Sequence, residues 1–291
     1  MDKRKFIEIS KSFFINPEYK MAFSKLGLTC IDAIFSFKAG KNLTKSGLAR
    51  YRSRLQFKIN SLGTTTSTTL FLKRYDRPPA MIQLRNWFTL RRRISLGVTD
   101  FKITNKLASA GINAPKTVCY GEQKGSFFEK RSFIITEKIP NAESLEQKLP
   151  DCFSKMGTTE NLKLQRAFII RLAAFIRKFH ETNFCHRDLY FCHIFYNNIG
   201  EFYLIDVSRC FKPILFTKRF RIKDIAQIYY SAPAKYFSKT DKLRFYLGYV
   251  GYRKLKKKDK IFINKVISKT KRMAQHDIKH NRCVPFMTQA N

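Results

Sequence analysis

Acidic residues are scarce in this 291-residue chain, and it contains no paired-cysteine motif, no internal repeat and no long apolar run. The 21 Asp and Glu face 57 Lys and Arg, so the formal net charge is +36. The seven cysteines are scattered without a C-x-x-C pair, which is typical of reduced thiols in a cytosolic protein. The apolar run over 26–37 contains Asp32 and is shorter than the ~20 residues of a membrane-spanning helix. Any contact with a membrane is therefore expected at its surface.

Apolar and basic side chains are what the chain has in abundance. Hydrophobic residues make up 44% of it, including 28 Phe and 13 Tyr, which supports a large core and excludes a disordered chain. The length permits one large domain or two lobes. The positive charge indicates an anionic partner, namely a nucleic acid, an acidic lipid leaflet or a phosphorylated substrate. Charge alone does not choose among these three.

The spacing of the apolar residues changes near Pro140. Before it, alternation predicts a hairpin from strands over 55–59 and 68–75, and two more strands over 116–120 and 132–137. A strand-rich half followed by a helix-rich half predicts an α+β protein with two lobes.

Helical spacing dominates the second half. A helix is predicted over 160–182, with further helices around 222–232 and 259–274. In the first half a helix is predicted over 99–110, followed by a C-cap glycine. We expect an N-terminal lobe over 29–140 and a C-terminal lobe with basic C-terminal helices over 141–291. Residues 1–28 are interpreted as a basic N-terminal extension or a capping helix.

The densest polar cluster follows the long helix and reads CHRDLYFCH over 185–193. A hairpin that ends at Asp206 is predicted directly after it. With the turn centred between Ile199 and Gly200, His193 lies opposite Asp206, and opposed residues have Cβ atoms only ~4.5–5.5 Å apart. This register brings an imidazole and a carboxylate together at the open end of the hairpin, next to Asp188.

Two carboxylates and an imidazole in one place are suited to phosphoryl transfer, in which a carboxylate accepts a proton and others hold a divalent metal. The protein-kinase pattern is H-R-D-x-x-x-x-N followed, after a hairpin, by a metal-binding Asp. Here H-R-D stands at 186–188, His193 replaces the Asn, and Asp206 lacks the usual Phe-Gly after it. The combination is far more specific than an isolated H-R-D.

Three segments resemble the lipopolysaccharide core kinases, a family of heptose and Kdo kinases with a protein-kinase-like fold. They are FLKR at 71–74, HRDLYFCH at 186–193 and LIDVSR at 204–209. FIITE at 133–137 is similar to the hinge between the lobes of that family, and KDI at 223–225 is similar to its later helix. The His in the position of the Asn is itself characteristic of the family.

The resemblance implies an ATP-dependent kinase that phosphorylates a heptose or Kdo hydroxyl of the lipopolysaccharide inner core. Asp188 would be the catalytic base, and Asp206 would bind Mg²⁺ with help from His193. Because Mg²⁺ prefers oxygen ligands and imidazole suits Mn²⁺ or Zn²⁺ better, His193 would act through a water or a hydrogen bond rather than by direct ligation, and Mn²⁺ is a second metal to consider. Lys73 would hold the α and β phosphates, in the N-terminal nucleotide-binding lobe.

The partner of this lysine in the family is a helix Glu, and Asp100 stands at the corresponding place. An acidic residue near a helix start is also favourable simply as an N-terminal charge, so both interpretations of Asp100 stay open. Adenine would pair with backbone between Glu137 and Ile139. No G-x-G-x-x-G loop is present to cover the phosphates.

The implied partners are ATP, the lipopolysaccharide core glycolipid and an anionic membrane surface, at the cytoplasmic face of the inner membrane. The oligomeric state stays open. Two alternatives are a kinase-like pseudoenzyme and a basic protein that binds nucleic acid or acidic surfaces, although no RNP, helix-turn-helix or zinc-finger pattern supports nucleic acid. A zinc site at Cys185, His186, Cys192 and His193 is a further interpretation, but the same residues fit the H-R-D pattern better.

Overall fold

The computed structural model describes residues 6–44, 47, 49–60, 67–90, 92–153 and 159–285. The chain divides into two compact units. The first unit comprises the described residues of Met1–Ser109 and Ala114–Pro140, and the second comprises those of Ala110–Asn113 and Asn141–Asn291. The first is built around a large sheet and the second mainly from helices, so the predicted α+β class is confirmed.

The first unit is organised around a seven-stranded antiparallel sheet. In chain order its strands are β1 (Ile7–Ser10), β2 (Phe13–Ile15), β3 (Lys41–Asn42), β4 (Arg52–Asn60), β5 (Ser67–Asp76), β6 (Thr117–Lys124) and β7 (Glu129–Glu137). Their order in the sheet is β1-β2-β6-β7-β5-β4-β3. The predicted hairpin is β4 with β5, and alternate residues such as Phe57, Ile59 and Leu70 are buried because successive side chains of a strand point to opposite faces.

The α-helices in the described part of this unit are α1 (Lys20–Lys25), α2 (Ile31–Ser36), α3 (Ala80–Leu90) and α4 (Leu96–Ser109). Helix α4 packs on β6 and β7. It begins at Leu96, three residues before the predicted start at Thr99, because strand β7 supplies hydrogen-bond acceptors to its first turn. The Leu96 amide donates to the Glu129 carboxylate at 2.7 Å, and the Gly97 amide donates to the Ser132 hydroxyl at 2.9 Å. Those acceptors are distant in sequence, so local spacing does not reveal them.

The N-terminal segment differs from the predicted extension or capping helix. Residues 7–15 form β1 and β2, and β2 pairs with β6 at one side of the sheet. Phe13 and Ile15 on this strand are fully buried, as is Phe23 of α1. The described part of this segment therefore contributes to the hydrophobic core.

The second unit contains a small sheet and five helices within its described residues. The strands β8 (Ala142–Ser144), β9 (Ile194–Asn197) and β10 (Phe202–Leu204) pair in the order β10-β9-β8. The helices are α5 (Leu145–Phe153), α6 (Thr159–Glu181), α7 (Thr217–Ser231), α8 (Lys239–Val250) and α9 (Lys257–Lys279). Helix α6 packs on α8, and α7 packs on α9. The predicted helix over 160–182 is α6, whose apolar stripe is buried at Phe168, Leu172 and Ile176.

Of the helices in the described ranges, none is both long enough and apolar enough to cross a membrane.

Gly97 allows α4 to approach the sheet. A Cβ at this position would lie 2.8 Å from the backbone nitrogen and oxygen of Phe133 on β7, and a strand backbone cannot move aside as a flexible side chain can. Although alanine favours helix, we expect Gly97→Ala to lower the free energy of unfolding by about 1–3 kcal/mol. Urea denaturation measures this. Gly47→Ala is the matched control, since its Cβ would meet nothing within 4 Å, and an equal effect in both variants would contradict the close approach of α4.

Candidate active site

The loop that carries H-R-D is held in place by one face of helix α7. Asp224 is fully buried, and its carboxylate accepts hydrogen bonds from the backbone amides of His186 at 2.7 Å and Arg187 at 2.8 Å. The Gln227 side-chain oxygen accepts from the Leu189 amide at 2.8 Å, and its nitrogen donates to the Arg187 carbonyl at 2.9 Å. The loop has no regular secondary structure of its own, so these side chains replace the backbone partners that a helix or sheet would provide.

Two more residues of α7 extend this set of contacts at either end. The Ser231 hydroxyl accepts from the Phe191 amide at 3.0 Å, and Lys223 donates to the Arg187 carbonyl at 2.5 Å. Burial lowers the pKa of Lys223, opposed by the nearby Asp188 carboxylate. Arg187 itself has a left-handed backbone, with φ at 71°, which is uncommon outside glycine and persists only where neighbours determine it.

The side chain of Asp188 contacts an arginine from the segment after the hairpin. Arg209 donates from Nη1 to Asp188 Oδ2 at 2.5 Å, and both side chains are partly exposed. Because Arg209 lies in the short helical turn Val207–Arg209, directly after Asp206, one stretch of chain contacts the predicted base and carries the predicted metal ligand. The contact orients the Asp188 carboxylate.

The hairpin forms as predicted, but its predicted register is wrong by one residue. Tyr196 pairs with Phe202, and His193 lies opposite Ile205, whose amide donates to the His193 carbonyl at 3.0 Å. The reason is the turn, which has three residues at 198–200, and Gly200 adopts the left-handed conformation that such turns require.

His193 and Asp206 nevertheless lie together. Asp206 follows the last paired residue and has a left-handed backbone, with φ at 53° and ψ at 45°, which turns the chain out of the strand direction. Its Oδ2 lies 3.9 Å from His193 Nε2. The backbone turn at Asp206 thus compensates for the shifted register, and the two predicted metal ligands are neighbours.

The hydrogen bond of His193 identifies the nitrogen that is available to a ligand. Nδ1 lies 2.7 Å from the backbone carbonyl oxygen of Asp188, and because a carbonyl can only accept, Nδ1 carries a hydrogen. In a neutral imidazole this leaves the lone pair on Nε2, which is the nitrogen nearer to Asp206. An imidazole nitrogen and a carboxylate oxygen at this separation fit one divalent cation, and this donor set suits Mn²⁺ at least as well as Mg²⁺.

His186 lies in the interior and supports the structure of the loop. It is fully buried, and its Nε2 donates to the Ile205 carbonyl at 3.0 Å, so it links the H-R-D loop to the end of the hairpin. Burial lowers the pKa of His186 and so favours the neutral ring, whereas the nearby Asp224 carboxylate raises this pKa and partly offsets the effect of burial.

The zinc interpretation of the Cys-His pairs gains no support from the geometry. Within the described ranges, the group of three metal-ligand side chains that lies close enough together is His180, Cys185 and Asp224. All three are buried, and burial raises the pKa of Cys185 to about 12, which keeps it a thiol. His180 contacts Asp224 through Nε2 at 3.2 Å and Tyr249 through Nδ1 at 2.8 Å, so both of its nitrogens are engaged. This group is a hydrogen-bonded part of the core.

In the first unit, Lys73 and Asp100 lie close together. Lys73 is on β5, and its Nζ lies 3.7 Å from Oδ2 of Asp100, a buried residue on α4. The Tyr75 hydroxyl donates to the same oxygen at 3.0 Å. Asp100 is the fifth residue of α4 and lies beyond its first turn, so the simple N-terminal charge interpretation does not describe it.

The neighbouring Arg74 has a different partner. It donates to the carbonyls of Ile34, Phe35 and Phe37 at the C-terminal end of α2, at 2.8 to 3.1 Å. Strand alternation alone does not distinguish Lys73 from Arg74, and these contacts account for the arginine in structural terms.

The segment predicted to pair with adenine leaves the sheet at the end of β7. The Glu137 amide donates to the Lys116 carbonyl at 2.9 Å and the Lys138 amide to the Thr69 carbonyl at 2.8 Å, so both are engaged within the unit. The Glu137 carboxylate accepts from the Tyr19 hydroxyl and lies 3.1 Å from Lys116 Nζ. Ile139, which follows, is buried.

Four residues of the site have no role that the motifs predict: Arg209, Asp224, Gln227 and Ser231. A signal for the last three was present, since they recur at i, i+3 and i+7 among the apolar residues of a predicted helix and so share one helix face. A polar stripe within a buried helix indicates that the helix supplies hydrogen bonds to a neighbouring segment. No comparable periodic signal marks Arg209.

The sequence of the chain is similar to that of a known protein family. Residues 85–249, more than half of the chain, match the sequence profile of the "Lipopolysaccharide kinase (Kdo/WaaP) family". The lipopolysaccharide core heptose(I) kinase WaaP of Escherichia coli (strain K12) is 27% identical over 188 residues, which cover 62% of this chain and 70% of that enzyme.

Two further proteins are similar to the chain. The 3-deoxy-D-manno-octulosonic acid kinase of Mannheimia succiniciproducens is 29% identical over 114 residues, which cover 38% of this chain and 43% of that enzyme. A solved structure described as "WaaP in complex with acyl carrier protein" superimposes with a TM-score of 0.66 at 20% identity, covering 91% of this chain and 99% of that one. At that identity the likeness shows the fold, and it confirms the predicted kinase-like fold.

Because the Asp224 carboxylate is buried among backbone amides, its removal leaves those amides without an acceptor. We expect Asp224→Ala to lower the free energy of unfolding by about 3–5 kcal/mol, the range for uncompensated buried charge partners. Chemical denaturation measures this. The matched control is Glu181→Ala, an acid in the same unit that is 67% exposed and pairs with Arg177, for which a change below about 0.5 kcal/mol is expected. A small effect at Asp224 would contradict its role as the anchor of the loop.

Proposed function

Because the chain belongs to the lipopolysaccharide kinase (Kdo/WaaP) family, we propose that it transfers the γ-phosphoryl group of ATP to a heptose or Kdo hydroxyl of the lipopolysaccharide inner core. Membership makes it a phosphotransferase with an alcohol acceptor. The observation that carries the residue assignment is the proximity of Asp188, His193 and Asp206, with His193 donating to the backbone of Asp188 and facing Asp206.

In the proposed reaction Asp188 accepts the proton of the sugar hydroxyl as that oxygen attacks the γ-phosphorus. The bond from phosphorus to the bridging oxygen breaks, and ADP leaves with the electron pair. Arg209 orients the Asp188 carboxylate, and α7 holds the loop that carries it. Since little covalent chemistry falls to the protein, positioning and charge stabilisation supply most of the acceleration.

Asp206 and His193 are the proposed ligands of a divalent cation. When bound, such a cation neutralises charge on the β and γ phosphates. Lys73, oriented by Asp100, is the proposed contact of the α and β phosphates, and backbone between Glu137 and Ile139 is the proposed contact of adenine. The Tyr75 hydroxyl donates to the same Asp100 oxygen and so holds that carboxylate in place beside the lysine.

The proposed location is the cytoplasmic face of the inner membrane, with the protein bound at the lipid surface. The acceptor is anionic, and so is the leaflet that carries it. A net charge of +36 supports this location, because each Lys or Arg near an acidic leaflet contributes about 1 kcal/mol of attraction.

Transfer to the acceptor tests the proposed function directly. Purified protein is given ATP, Mg²⁺ or Mn²⁺, and dephosphorylated lipopolysaccharide, and mass spectrometry follows the gain of phosphate. We expect Asp188→Asn to lower kcat by about 10²–10⁴-fold, because a general base typically contributes that much. Glu181→Gln is the exposed control and should retain full activity.

The same assay separates the alternatives. ATP-dependent thermal stabilisation of the wild type without any product would identify a pseudoenzyme. Absence of transfer together with tight, salt-sensitive RNA binding would identify a nucleic-acid-binding protein. Either result contradicts the kinase proposal.

Metal preference tests the role of His193. The change His193→Asn replaces an imidazole nitrogen by an amide oxygen, which suits Mg²⁺ better than Mn²⁺. We expect the ratio of kcat with Mn²⁺ to kcat with Mg²⁺ to fall by about threefold or more. Steady-state kinetics with each metal measures this, and an unchanged ratio would contradict direct ligation by His193.

Asp206→Asn should weaken metal-dependent ATP binding with either ion.

A further inference from the structure

The loop over 212–216, which follows the candidate active-site segment along the chain, exposes a run of large apolar side chains. Ile214, Leu215 and Phe216 are 63, 69 and 73% exposed. Single exposed apolar residues are ordinary on protein surfaces, but three in succession that are mostly exposed indicate an interaction surface. We call residues 214–216 the apolar tip.

The charge around the apolar tip has one sign. Lys212 precedes it, Lys218 and Arg219 follow it, and all three side chains are exposed. No acidic residue occurs from 212 to 219. Apolar and aromatic side chains flanked by cations are the composition that binds the interface of an anionic lipid bilayer.

The base of the loop is rigid. Phe211 and Cys185 exchange backbone hydrogen bonds at 2.9 and 3.1 Å, which tie the start of the loop to the residue before H-R-D. The buried Phe211 ring lies edge-on against Phe220 of α7, at a centroid separation of 4.8 Å. The Thr217 hydroxyl donates across the loop to the Pro213 carbonyl at 3.4 Å. The exposed tip therefore lies between two ends that are tied to the rest of the unit.

The end of the loop departs from what local structure favours. Phe216 occupies the N-cap position of α7, where Ser, Thr, Asp or Asn would supply a hydrogen bond, and it supplies none. Its backbone is left-handed, with φ at 58°, which is an outlier for a bulky residue. A locally unfavourable residue that is also exposed indicates a role in function rather than in stability.

The apolar tip lies near the proposed base along the chain. Ile214 is five residues after Arg209, which contacts Asp188. Five residues span at most roughly 17 Å, so the tip and the Arg209 backbone lie within that distance. A surface in this place is suited to an acceptor that is anchored in a bilayer.

We propose that the apolar tip inserts into the interface of an anionic bilayer, with Lys212, Lys218 and Arg219 contacting lipid phosphates. This contact presents Asp188 to a membrane-anchored acceptor. The role of this contact in presenting Asp188 rests on the proposed function. Binding of the apolar tip to the bilayer does not depend on catalysis.

Binding to vesicles tests the contact without any enzyme assay. The full chain is sedimented with vesicles that contain about one-third phosphatidylglycerol in phosphatidylcholine, and with pure phosphatidylcholine. We expect binding to the anionic vesicles, and a loss of about tenfold to hundredfold in the partition coefficient for the triple variant Ile214→Ser, Leu215→Ser, Phe216→Ser. The control Ile199→Ser removes a side chain that is 79% exposed in the hairpin turn of the same unit, and it should bind as the wild type does.

A tryptophan reporter covers the case in which the triple variant is misfolded. The chain has a single Trp, at position 87, so Phe216→Trp in a Trp87→Phe background reports on the tip alone. We expect a blue shift and quenching by brominated lipid on anionic vesicles, whereas Ile199→Trp in the same background should show neither. Wild-type binding without quenching of the reporter at 216 would overturn the proposal. An absence of wild-type binding to the anionic vesicles would also overturn it. The same holds if the triple variant changes self-association of the protein but not its binding to vesicles.

Transfer assays then separate this inference from the proposed function. With the tip correctly assigned, the triple variant phosphorylates a water-soluble, deacylated acceptor as the wild type does, but loses activity on acceptor embedded in vesicles. Vesicle insertion without transfer to either acceptor would support the tip and contradict the kinase. Equal activity of variant and wild type on embedded acceptor would support the kinase and contradict the role of the tip.

Discussion

The arrangement of the candidate active site depends on one buried carboxylate. Asp224 accepts hydrogen bonds from the backbone amides of His186 and Arg187, and His180 Nε2 lies 3.2 Å from the same carboxylate. An ionised acceptor surrounded by donors and shielded from water forms stronger hydrogen bonds than neutral groups do. It therefore holds an irregular loop, including the left-handed Arg187, in one conformation.

The functional side chains lie on regular elements or on a loop that a regular element supports. Asp188 lies on a loop, but α7 holds that loop through Gln227 and Ser231 as well as Asp224. In the first unit, Lys73 lies on β5, which is paired on both sides by β4 and β7, and Asp100 lies on α4. Groups held on such supports retain their geometry more closely than groups on unsupported loops.

A second constraint is set by the turn at Gly200. A three-residue turn shifts the strand pairing by one residue relative to a turn centred between residues 199 and 200, so His193 faces Ile205 rather than Asp206. In a continuous strand this shift would send Asp206 to the other face. The left-handed backbone at Asp206 ends the strand direction and leaves its carboxylate beside His193. Proximity of the two residues was predictable from the sequence, but the route by which they meet was not.

The amino-acid sequence by itself determined the class of the protein, its main helices and strands, and the identity of the chemical groups. Apolar periodicity and the residue spacing within 186–206 are local properties of the chain. They can be read from the sequence without knowledge of the fold. The resemblance of the segment at 71–74 indicated Lys73 rather than Arg74, and Lys73 lies beside Asp100. Tertiary structure alone decided that β7 starts α4 early and that Arg209 contacts Asp188. Each of these depends on a partner from a different element. The pairing of such partners follows from how the elements pack and from the backbone angles of single residues. The spacing of residues along the sequence predicts neither.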